Sequence, residues 1–398
     1  MNYELFNKAQ SLYDAKDFQG ALMAFTQCLQ DEAMPPAPGE TGRLYHQIGN
    51  CLIKLRDANE AIQAYTQAVA DPSYDMKGAV DCNLGMAYAS LHDYDNAVRY
   101  FEAAVADEGY DARYKAYIGM GNAYMKVGKT AEAGVAFREA ALDEGINALD
   151  IADVYGRGTC ETILGEVFAA NPGLRDRVFL QSKVGIRKEP DGFTWYDFSK
   201  EHIIEAVDAG LARMGVDHVD SMLLHRPDVL MEPDEVGEAL ETLKDQGKVL
   251  DWGVSNLNPA MLGRLERRVP VKLATNQVQL SCAFTPAFNG AFNVNMENDA
   301  AIMRDGGIFE YCEDRDMVIQ AWSTMQYGYF EGVFLGSPKY PELNAKLEEL
   351  AEKYDVTPTA VALAWVLRYP AKMQAVIGTT KPSRVREAAR ACDFELTR

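Results

Sequence analysis

Small and aromatic positions recur every 36 residues or so in the first part of the chain. Gly49, Gly85 and Gly121 mark this interval, and an aromatic residue follows each of them at the same distance. Such a period is typical of repeats of two antiparallel helices, in which small residues allow close helix contact and aromatic residues fill the groove. A first copy fits at residues 9–28, before a Pro-rich turn. We predict four repeats over residues 2–142, with the aromatic stripe as their core. The aromatic residues are Tyr65, Phe101 and Phe137.

After Gly145 the pattern changes to short apolar runs that alternate with amphipathic stretches of helical length. Continuous apolar strands separated by helices predict a parallel sheet that is buried on both faces. The number of units and a length of about 250 residues favour a (β/α)8 barrel over a doubly wound sheet. Strands are predicted at 147–152, 178–184, 219–224, 250–255, 273–279, 318–322 and 375–378, and helices at 201–214, 233–246, 342–354 and 359–368.

Polar side chains stand at or just beyond the C-terminal ends of these predicted strands. Asp150, Lys183 and His225 close the first three, and Tyr155 follows the first. Barrel enzymes carry their chemistry at this face. Buried polar groups cost a few kcal/mol without partners, so a set of them indicates one shared site. The later strands add Ser255, Asn256, Gln277, Trp322, Ser323, Gly378, Thr379 and Lys381.

Composition restricts the choice of partners. The chain has 39 basic and 59 acidic residues, a net charge of −20, so nucleic acid and anionic membranes are not expected partners. No apolar run is long enough to span a bilayer, and Glu4 stands where a signal peptide would be basic. The 7 cysteines form no C-x-x-C pair, and the 5 histidines are scattered. We therefore expect a cytoplasmic protein with reduced thiols and no metal site.

The first part resembles tetratricopeptide repeats, which implies a concave surface for a protein or peptide partner. The second part resembles the aldo/keto reductases in six motifs that occur in the family's order. L-D-I-A-D-V-Y-G at 149–156 is similar to F-D-T-A-x-x-Y-G, and Q-S-K at 181–183 to the S-K strand end. The other four are L-H-R-P-D at 224–228, G-V-S-N at 253–256, N-Q at 276–277 and I-G-T-T-K-P-S-R at 377–384.

The reductase resemblance implies a catalytic tetrad. Tyr155 would protonate the carbonyl oxygen as hydride arrives. A free tyrosine is a poor acid near neutral pH, and the neighbouring ammonium of Lys183 would stabilise its phenolate. Asp150 would hold Lys183 in place, and His225 would orient the substrate oxygen.

The same resemblance implies NADP(H) as the cofactor. Ser255, Asn256 and Gln277 would hold the nicotinamide carboxamide, and Trp322 would stack on the ring. Lys381 and Arg384 would pair with the 2′-phosphate, because a dianion favours a pair of cations. Further cofactor-binding residues implied by the family pattern are Ser323, Gly378, Thr379 and Glu387.

The sequence also departs from the family pattern. The family's N-terminal hairpin and first strand are missing, and the helix predicted at 131–143 would serve both the repeats and the barrel. The chain stops at Arg398 where the family continues into a helix, and Ala388 stands where many members have Asn. We therefore divide the chain into repeats at 1–142 and an incomplete reductase barrel at 143–398.

Two readings of function follow. One is an NADP-dependent reductase of aldehydes and ketones with an attached interaction module. The alternative is a repeat scaffold whose incomplete reductase part is inactive, because a sheet of about seven strands leaves two edges unpaired. A strand supplied by another copy of the chain would also complete the barrel.

Overall fold

A computed structural model describes residues 1–189, 191–379 and 383–397, with the backbone alone at positions 131 and 383. The chain divides into two compact units, Met1–Asp143 and Glu144–Arg398. Each is described separately below.

The first unit consists of four successive helical pairs, so the predicted repeat architecture is confirmed. The two helices of each pair pack on each other, and the second helix of one pair packs on the first helix of the next. The expected fourth repeat is present, and its second helix corresponds to the one predicted at 131–143. The helices are α1 Tyr3–Asp14, α2 Phe18–Leu29, α3 Glu40–Lys54, α4 Ala58–Ala70, α5 Lys77–Ser90, α6 Tyr94–Ala106, α7 Arg113–Lys126 and α8 Thr130–Asp143.

The recurring glycines lie where two helices of a pair make their closest contact. A Cβ atom on Gly49 would stand 2.4 Å from the ring of Tyr65, and one on Gly85 would stand 2.5 Å from the ring of Phe101. Both aromatic side chains are fully buried. Glycine is therefore needed here for the space that it leaves to the aromatic ring, as the repeat pattern predicts.

A second periodic feature is a set of aspartates that ends the second, third and fourth helical pairs. The carboxylate of Asp71 accepts the N–H of Gly42 at 2.8 Å, and that of Asp107 accepts the N–H of Gly78 at 2.7 Å. In the last pair, Asp143 accepts the N–H of Tyr114 at 3.0 Å. Each aspartate thus satisfies an N–H at the start of the first helix of its own pair, where the helix has no internal partner.

The second unit is built on a parallel sheet of seven strands in the order β1-β2-β5-β6-β7-β8-β9. A separate antiparallel hairpin, β3-β4, was not predicted from the sequence. The strands are β1 Ala148–Asp150, β2 Phe179–Val184, β3 Ile186–Lys188, β4 Thr194–Tyr196, β5 Val219–His225, β6 Val249–Ser255, β7 Leu273–Gln279, β8 Val318–Trp322 and β9 Met373–Ala375.

Helices cover this sheet between successive strands. The segments predicted as helices at 201–214, 233–246, 342–354 and 359–368 are observed as α10, α11, α15 and α16. The helices of the unit are α9 Thr159–Ala170, α10 Lys200–Met214, α11 Pro233–Asp245, α12 Pro259–Glu266, α13 Pro286–Phe292, α14 Ile308–Asp314, α15 Pro341–Tyr354, α16 Pro358–Leu367 and α17 Ser383–Ala389.

The sheet curls as the wall of a barrel does but does not close within the described residues. Gln181 on β2 hydrogen-bonds Gln320 on β8 at 2.8 Å, although three strands separate β2 from β8 in the sheet. Among the described residues, β1 and β9 pair on one side only. The predicted barrel without its first strand is therefore confirmed.

The last strand begins and ends earlier than the predicted 375–378. It covers Met373–Ala375, and the N–H of Val376 makes one more bond to Ala321 at 2.8 Å. Gly378 then lies exposed beyond the ladder. Glycine has no side chain to pack on a sheet, so the apolar run does not continue as strand to this position.

None of the helices in the described parts of the chain is both long and apolar enough to cross a membrane.

Candidate active site

The ammonium of Lys183 is the centre of the polar cluster at the C-terminal ends of the first strands. The side chain is fully buried at the end of β2. Its Nζ donates to Asp150 Oδ2 at 2.7 Å, to the carbonyl oxygen of Ile151 at 3.0 Å and to Tyr155 Oη at 3.2 Å. All three ammonium hydrogens therefore have an acceptor, which offsets the cost of burying this charge.

Tyr155 differs from Lys183 in its exposure. It follows β1 in a 3-10 turn, and 40% of its surface is accessible, so its hydroxyl can meet a substrate. The ring of His225, at the end of β5, lies edge-on to it with 5.9 Å between the ring centroids. The structure thus brings Asp150, Tyr155, Lys183 and His225 together, as the sequence pattern predicts.

His225 is held in its neutral form. Burial, together with the positive charges of Lys183 and Arg226, lowers the pKa of His225 to about 3. Its Nδ1 is buried without a hydrogen-bond partner among the described residues. A neutral imidazole beside a buried ammonium can donate one hydrogen bond without adding a second positive charge.

A second polar group lies at the ends of β6 and β8. Asn256 Nδ2 donates to Ser255 Oγ at 2.8 Å, and the indole N–H of Trp322 donates to Asn256 Oδ1 at 3.2 Å. The guanidinium of Arg226 lies 5.3 Å from the centroid of the Trp322 ring. These contacts fix the orientation of the indole and the carboxamide relative to each other.

Three residues just after strands have a left-handed backbone: Arg226 with φ 75°, Asn256 with φ 58° and Ser323 with φ 52°. This conformation is uncommon outside glycine and costs of order 1 kcal/mol or more per residue. They follow β5, β6 and β8 directly. At these three positions the strained backbone turns the chain sharply out of its strand, at the edge of the sheet that carries the cluster.

Gln277 has partners that the sequence did not indicate. Its Nε2 donates to Asp150 Oδ1 at 3.1 Å and to Gln320 Oε1 at 3.0 Å. Its donors are therefore used inside the barrel, and its carbonyl oxygen Oε1 makes no bond within the described residues. Gln277 remains next to Ser255 across the sheet, since the two are register partners in β6 and β7.

The predicted phosphate-binding run lies largely at the margin of the described residues. Gly378 and Thr379 follow β9, while Lys381 lies outside the described residues. Arg384 is exposed at the start of α17, and Glu387 is half-buried one turn later.

A buried acidic cluster behind the tetrad was not found from the sequence. Glu161, with 1% exposure, accepts Arg213 Nη2 at 2.6 Å and Ser182 Oγ at 3.1 Å. Asp153 is bonded through its backbone N–H to the carbonyl oxygen of Lys183. Burial and the charge of Glu161 raise the pKa of Asp153 to about 7. The signal in the sequence was the presence of further polar residues next to the predicted tetrad, namely Asp153 near Tyr155 and Ser182 beside Lys183.

No group of three or more His, Cys, Asp or Glu side chains among the described residues is placed to hold a metal ion.

The repeat unit has its own cavity of about 630 Å³, lined by polar, apolar and cationic side chains. Asn50 Oδ1 accepts bonds there from Tyr65 Oη at 2.9 Å and from Asn83 Nδ2 at 3.1 Å. Lys54 and Arg56 also line it. The cavity is an open site within the first unit and is independent of the barrel.

Comparison with known proteins agrees with both units. The aldo/keto reductase family model matches residues 118–398, a span that includes α8, and a tetratricopeptide repeat model matches residues 42–70 and 82–106. A 6-dehydroglucose reductase of Agrobacterium fabrum is 36% identical over 64% of this chain and 80% of its own. Oxidoreductase YdhF of Escherichia coli is 35% identical over the same shares.

Solved structures give the same result. An aldo-keto reductase from Klebsiella pneumoniae in complex with NADPH is 28% identical, with a TM-score of 0.52 over 66% of this chain and 80% of the other. A second Klebsiella pneumoniae structure, with NADP and acetate, is 27% identical with a TM-score of 0.51 over the same shares. The chain belongs to the aldo/keto reductase family, and its reductase portion is preceded by tetratricopeptide repeats.

Proposed function

We propose that the protein reduces aldehydes or ketones to alcohols with NADPH. The observation that carries this proposal is the position of Lys183 Nζ, which lies between the Asp150 carboxylate and the exposed hydroxyl of Tyr155. A buried ammonium 3.2 Å from a solvent-facing phenol is an arrangement for general acid catalysis.

Each member of the tetrad has a separate task in this proposal. Tyr155 donates its proton to the carbonyl oxygen, and the ammonium of Lys183 stabilises the phenolate that remains. Asp150 keeps the ammonium beside the phenol. His225, held neutral, donates a hydrogen bond that orients the substrate oxygen towards Tyr155. Positioned acid catalysis of this kind contributes about 10²–10⁴-fold to the rate.

The residues fit a nicotinamide cofactor, which when bound would supply the hydride. The indole of Trp322 offers an apolar face, and its N–H bond to Asn256 holds that face in place. Ser255, Asn256 and the unused carbonyl oxygen of Gln277 would hold the carboxamide. Ser323 and Gly378 would line the binding cleft.

The 2′-phosphate would be recognised by the run after β9. Lys381 and Arg384 would pair with it, and Thr379 and Glu387 would contact the adjacent sugar and base. Alanine at Lys381 or Arg384 should raise KM for NADPH much more than KM for NADH. Equal effects on both cofactors would contradict this assignment.

The test of the activity is turnover by the purified full chain. Two curated relatives are named 6-dehydroglucose reductase, so sugars with an oxidised terminal carbon are the first carbonyl substrates to test, beside a generic aldehyde. Tyr155→Phe should abolish turnover but preserve the quenching of tryptophan fluorescence by NADPH. Equal activity of wild type and Tyr155→Phe would refute the role of the acid.

The alternative is a repeat scaffold with an inactive reductase portion. The open sheet is the observation that favours it, because β1 and β9 each lack a second neighbour among the described residues. Quenching by NADPH at micromolar concentration would refute it. Absence of quenching would support an inactive reductase portion.

We also propose that residues 1–142 act as a module for a protein partner and residues 143–398 as the catalytic module. The cavity at Asn50 and Asn83 is the candidate contact site in the first. Asn83→Arg would fill it, so partners captured by wild type should be lost in this variant while reductase activity is retained.

A further inference from the structure

The interior of the curled sheet carries a network of glutamine amides, of which the proposed chemistry uses only the carbonyl oxygen of Gln277. Gln181 on β2, Gln277 on β7 and Gln320 on β8 are all buried, with 3%, 3% and 7% exposure. Barrel interiors are usually filled by branched apolar residues. Three buried amides in one layer therefore need an explanation, because each is costly unless its hydrogen bonds are made.

The network satisfies every amide hydrogen of these three side chains. Gln181 Nε2 donates to Asp150 Oδ1 at 2.7 Å and to Gln320 Oε1 at 2.8 Å. Gln277 Nε2 donates to the same two oxygens at 3.1 and 3.0 Å. Gln320 Nε2 donates to Gln181 Oε1 at 3.1 Å and to Gln374 Oε1 at 2.9 Å. Each N–H thus has an acceptor, so the orientation of each amide is fixed by its neighbours.

Asp150 needs this support because of its place in the sheet. It ends β1, which has three residues and, within the described residues, pairs with β2 alone. A short strand with one neighbour positions its last side chain less firmly than a strand that is paired on both sides. Oδ2 of Asp150 holds Lys183, and Oδ1 receives both glutamine amides. Hydrogen bonds to a charged acceptor such as this carboxylate are stronger than those between neutral groups, so the two amides hold Asp150 firmly.

Gln320 is the member on which the others depend. No hydrogen bond joins it to Asp150 within the described residues, yet its Oε1 accepts the second N–H of both amides that bond to Asp150. We propose that Gln320 is a positioning residue for the reductase site: it orients Gln181 and Gln277, and through them it fixes the Asp150 carboxylate that holds Lys183 beside Tyr155. The inference rests on the proposed reductase function.

The test compares Gln320→Leu with Thr275→Val. Thr275 is buried on β7, two residues before Gln277 and therefore on the same face, and Thr275→Val also removes a polar group from the interior without touching the network. Gln320→Leu should lower kcat by about 10- to 100-fold, because a catalytic group displaced by about 1 Å costs up to that factor. KM for the carbonyl should change less than about twofold, and the affinity for NADPH, to which Gln277 would contribute, should fall by a smaller factor than kcat. Thr275→Val should keep kcat near the wild-type value.

A kcat of Gln320→Leu within twofold of wild type would overturn the inference. A loss of kcat matched by Thr275→Val, or accompanied by an equal loss of NADPH affinity, would also overturn it, since it would indicate a general structural role. If Gln320→Leu does not fold, Gln181→Leu, which removes one of the two amides on Asp150, should show the same separation of kcat from KM.

A measurement independent of activity separates this inference from the proposed function. Hydrogen exchange of the peptide over residues 147–153 should accelerate in Gln320→Leu and not in Thr275→Val, whether or not any carbonyl is turned over. Unchanged exchange in both variants would overturn the positioning role. Inactivity of the wild type with accelerated exchange in Gln320→Leu would refute only the proposed reaction.

Discussion

Replacement of Asp153 by Asn should stabilise the reductase unit increasingly as the pH rises. Asp153 lies behind the tetrad, where burial is the main cause and the charge of Glu161 the second cause of its raised pKa of about 7. A solvated aspartate has a value of 3.8. Since the folded state holds this proton more tightly than the unfolded state, stability is lost as the pH rises from 3.8 to about 7. Asparagine has nearly the same shape and no charge to bury.

The magnitude follows from linkage between protonation and folding. Each pKa unit corresponds to about 1.4 kcal/mol, and the window between pH 5 and the folded pKa of about 7 covers about two units. The stability difference between Asp153→Asn and wild type should therefore grow by about 3 kcal/mol from pH 5 to pH 8. Above pH 8 this stability difference should change little. The opposing titration of His225 is present in both proteins and cancels in the difference.

Urea unfolding followed by tryptophan fluorescence is the appropriate assay. All four tryptophans lie in the second unit, so the signal reports the barrel without the repeats. Asp81→Asn is a matched control, because burial raises the pKa of Asp81 to about 6 in the first unit. It should leave the tryptophan transition unchanged. A difference between Asp153→Asn and wild type that is the same at pH 5 and pH 8 would refute the reasoning.

Three further predictions test other features. Gly85→Ala should destabilise the repeat unit by about 1–2 kcal/mol in a far-UV circular dichroism melt, because its Cβ would stand 2.5 Å from the Phe101 ring and the overpacking cost of up to about 3 kcal/mol exceeds the ~1 kcal/mol gain in helix propensity. An unchanged or higher Tm would contradict this. Asp107→Ala should lower the stability of the repeat unit by about 1 kcal/mol in the same melt, because the 2.7 Å bond from the Gly78 N–H is removed. A destabilisation below the error of the melt would contradict the role of this bond. His225→Gln should lower kcat/KM but leave the shape of its profile from pH 5 to pH 8 unchanged, because His225 with a pKa of about 3 does not titrate there; disappearance of an acidic limb would show that it does.

The sequence predicts those features that depend on local periodicity. Glycine and aromatic spacing predict the repeats because each pair of helices brings the same positions into contact. Strand ends predict the tetrad because parallel strands in register bring their C-terminal ends to one edge, as Asp150 and Gln181 are paired in β1 and β2. Such contacts are fixed by position within an element.

The remaining features depend on contacts between distant elements. Gln181 and Gln320 are 139 residues apart and meet only because the sheet curls. A single glutamine in an apolar strand does not indicate which other strand it faces. The β3-β4 hairpin has weak apolar alternation because none of its six strand residues is buried, so no periodic signal marks it. The bonds of Gln277 to Asp150 and Gln320 also join distant parts of the sequence, so the sequence did not indicate them either.

The aspartates that end the last three helical pairs also affect how the length of the array can change. Asp71, Asp107 and Asp143 each accept a backbone N–H from the first helix of their own pair. None of these three bonds therefore depends on the neighbouring pair. Tyr74 and Tyr110 are each followed by aspartate, so removal of residues 75–110 would rejoin the chain at the same dipeptide. The array can therefore lose or duplicate a whole pair by a single in-frame event, without any new side chain at the junction.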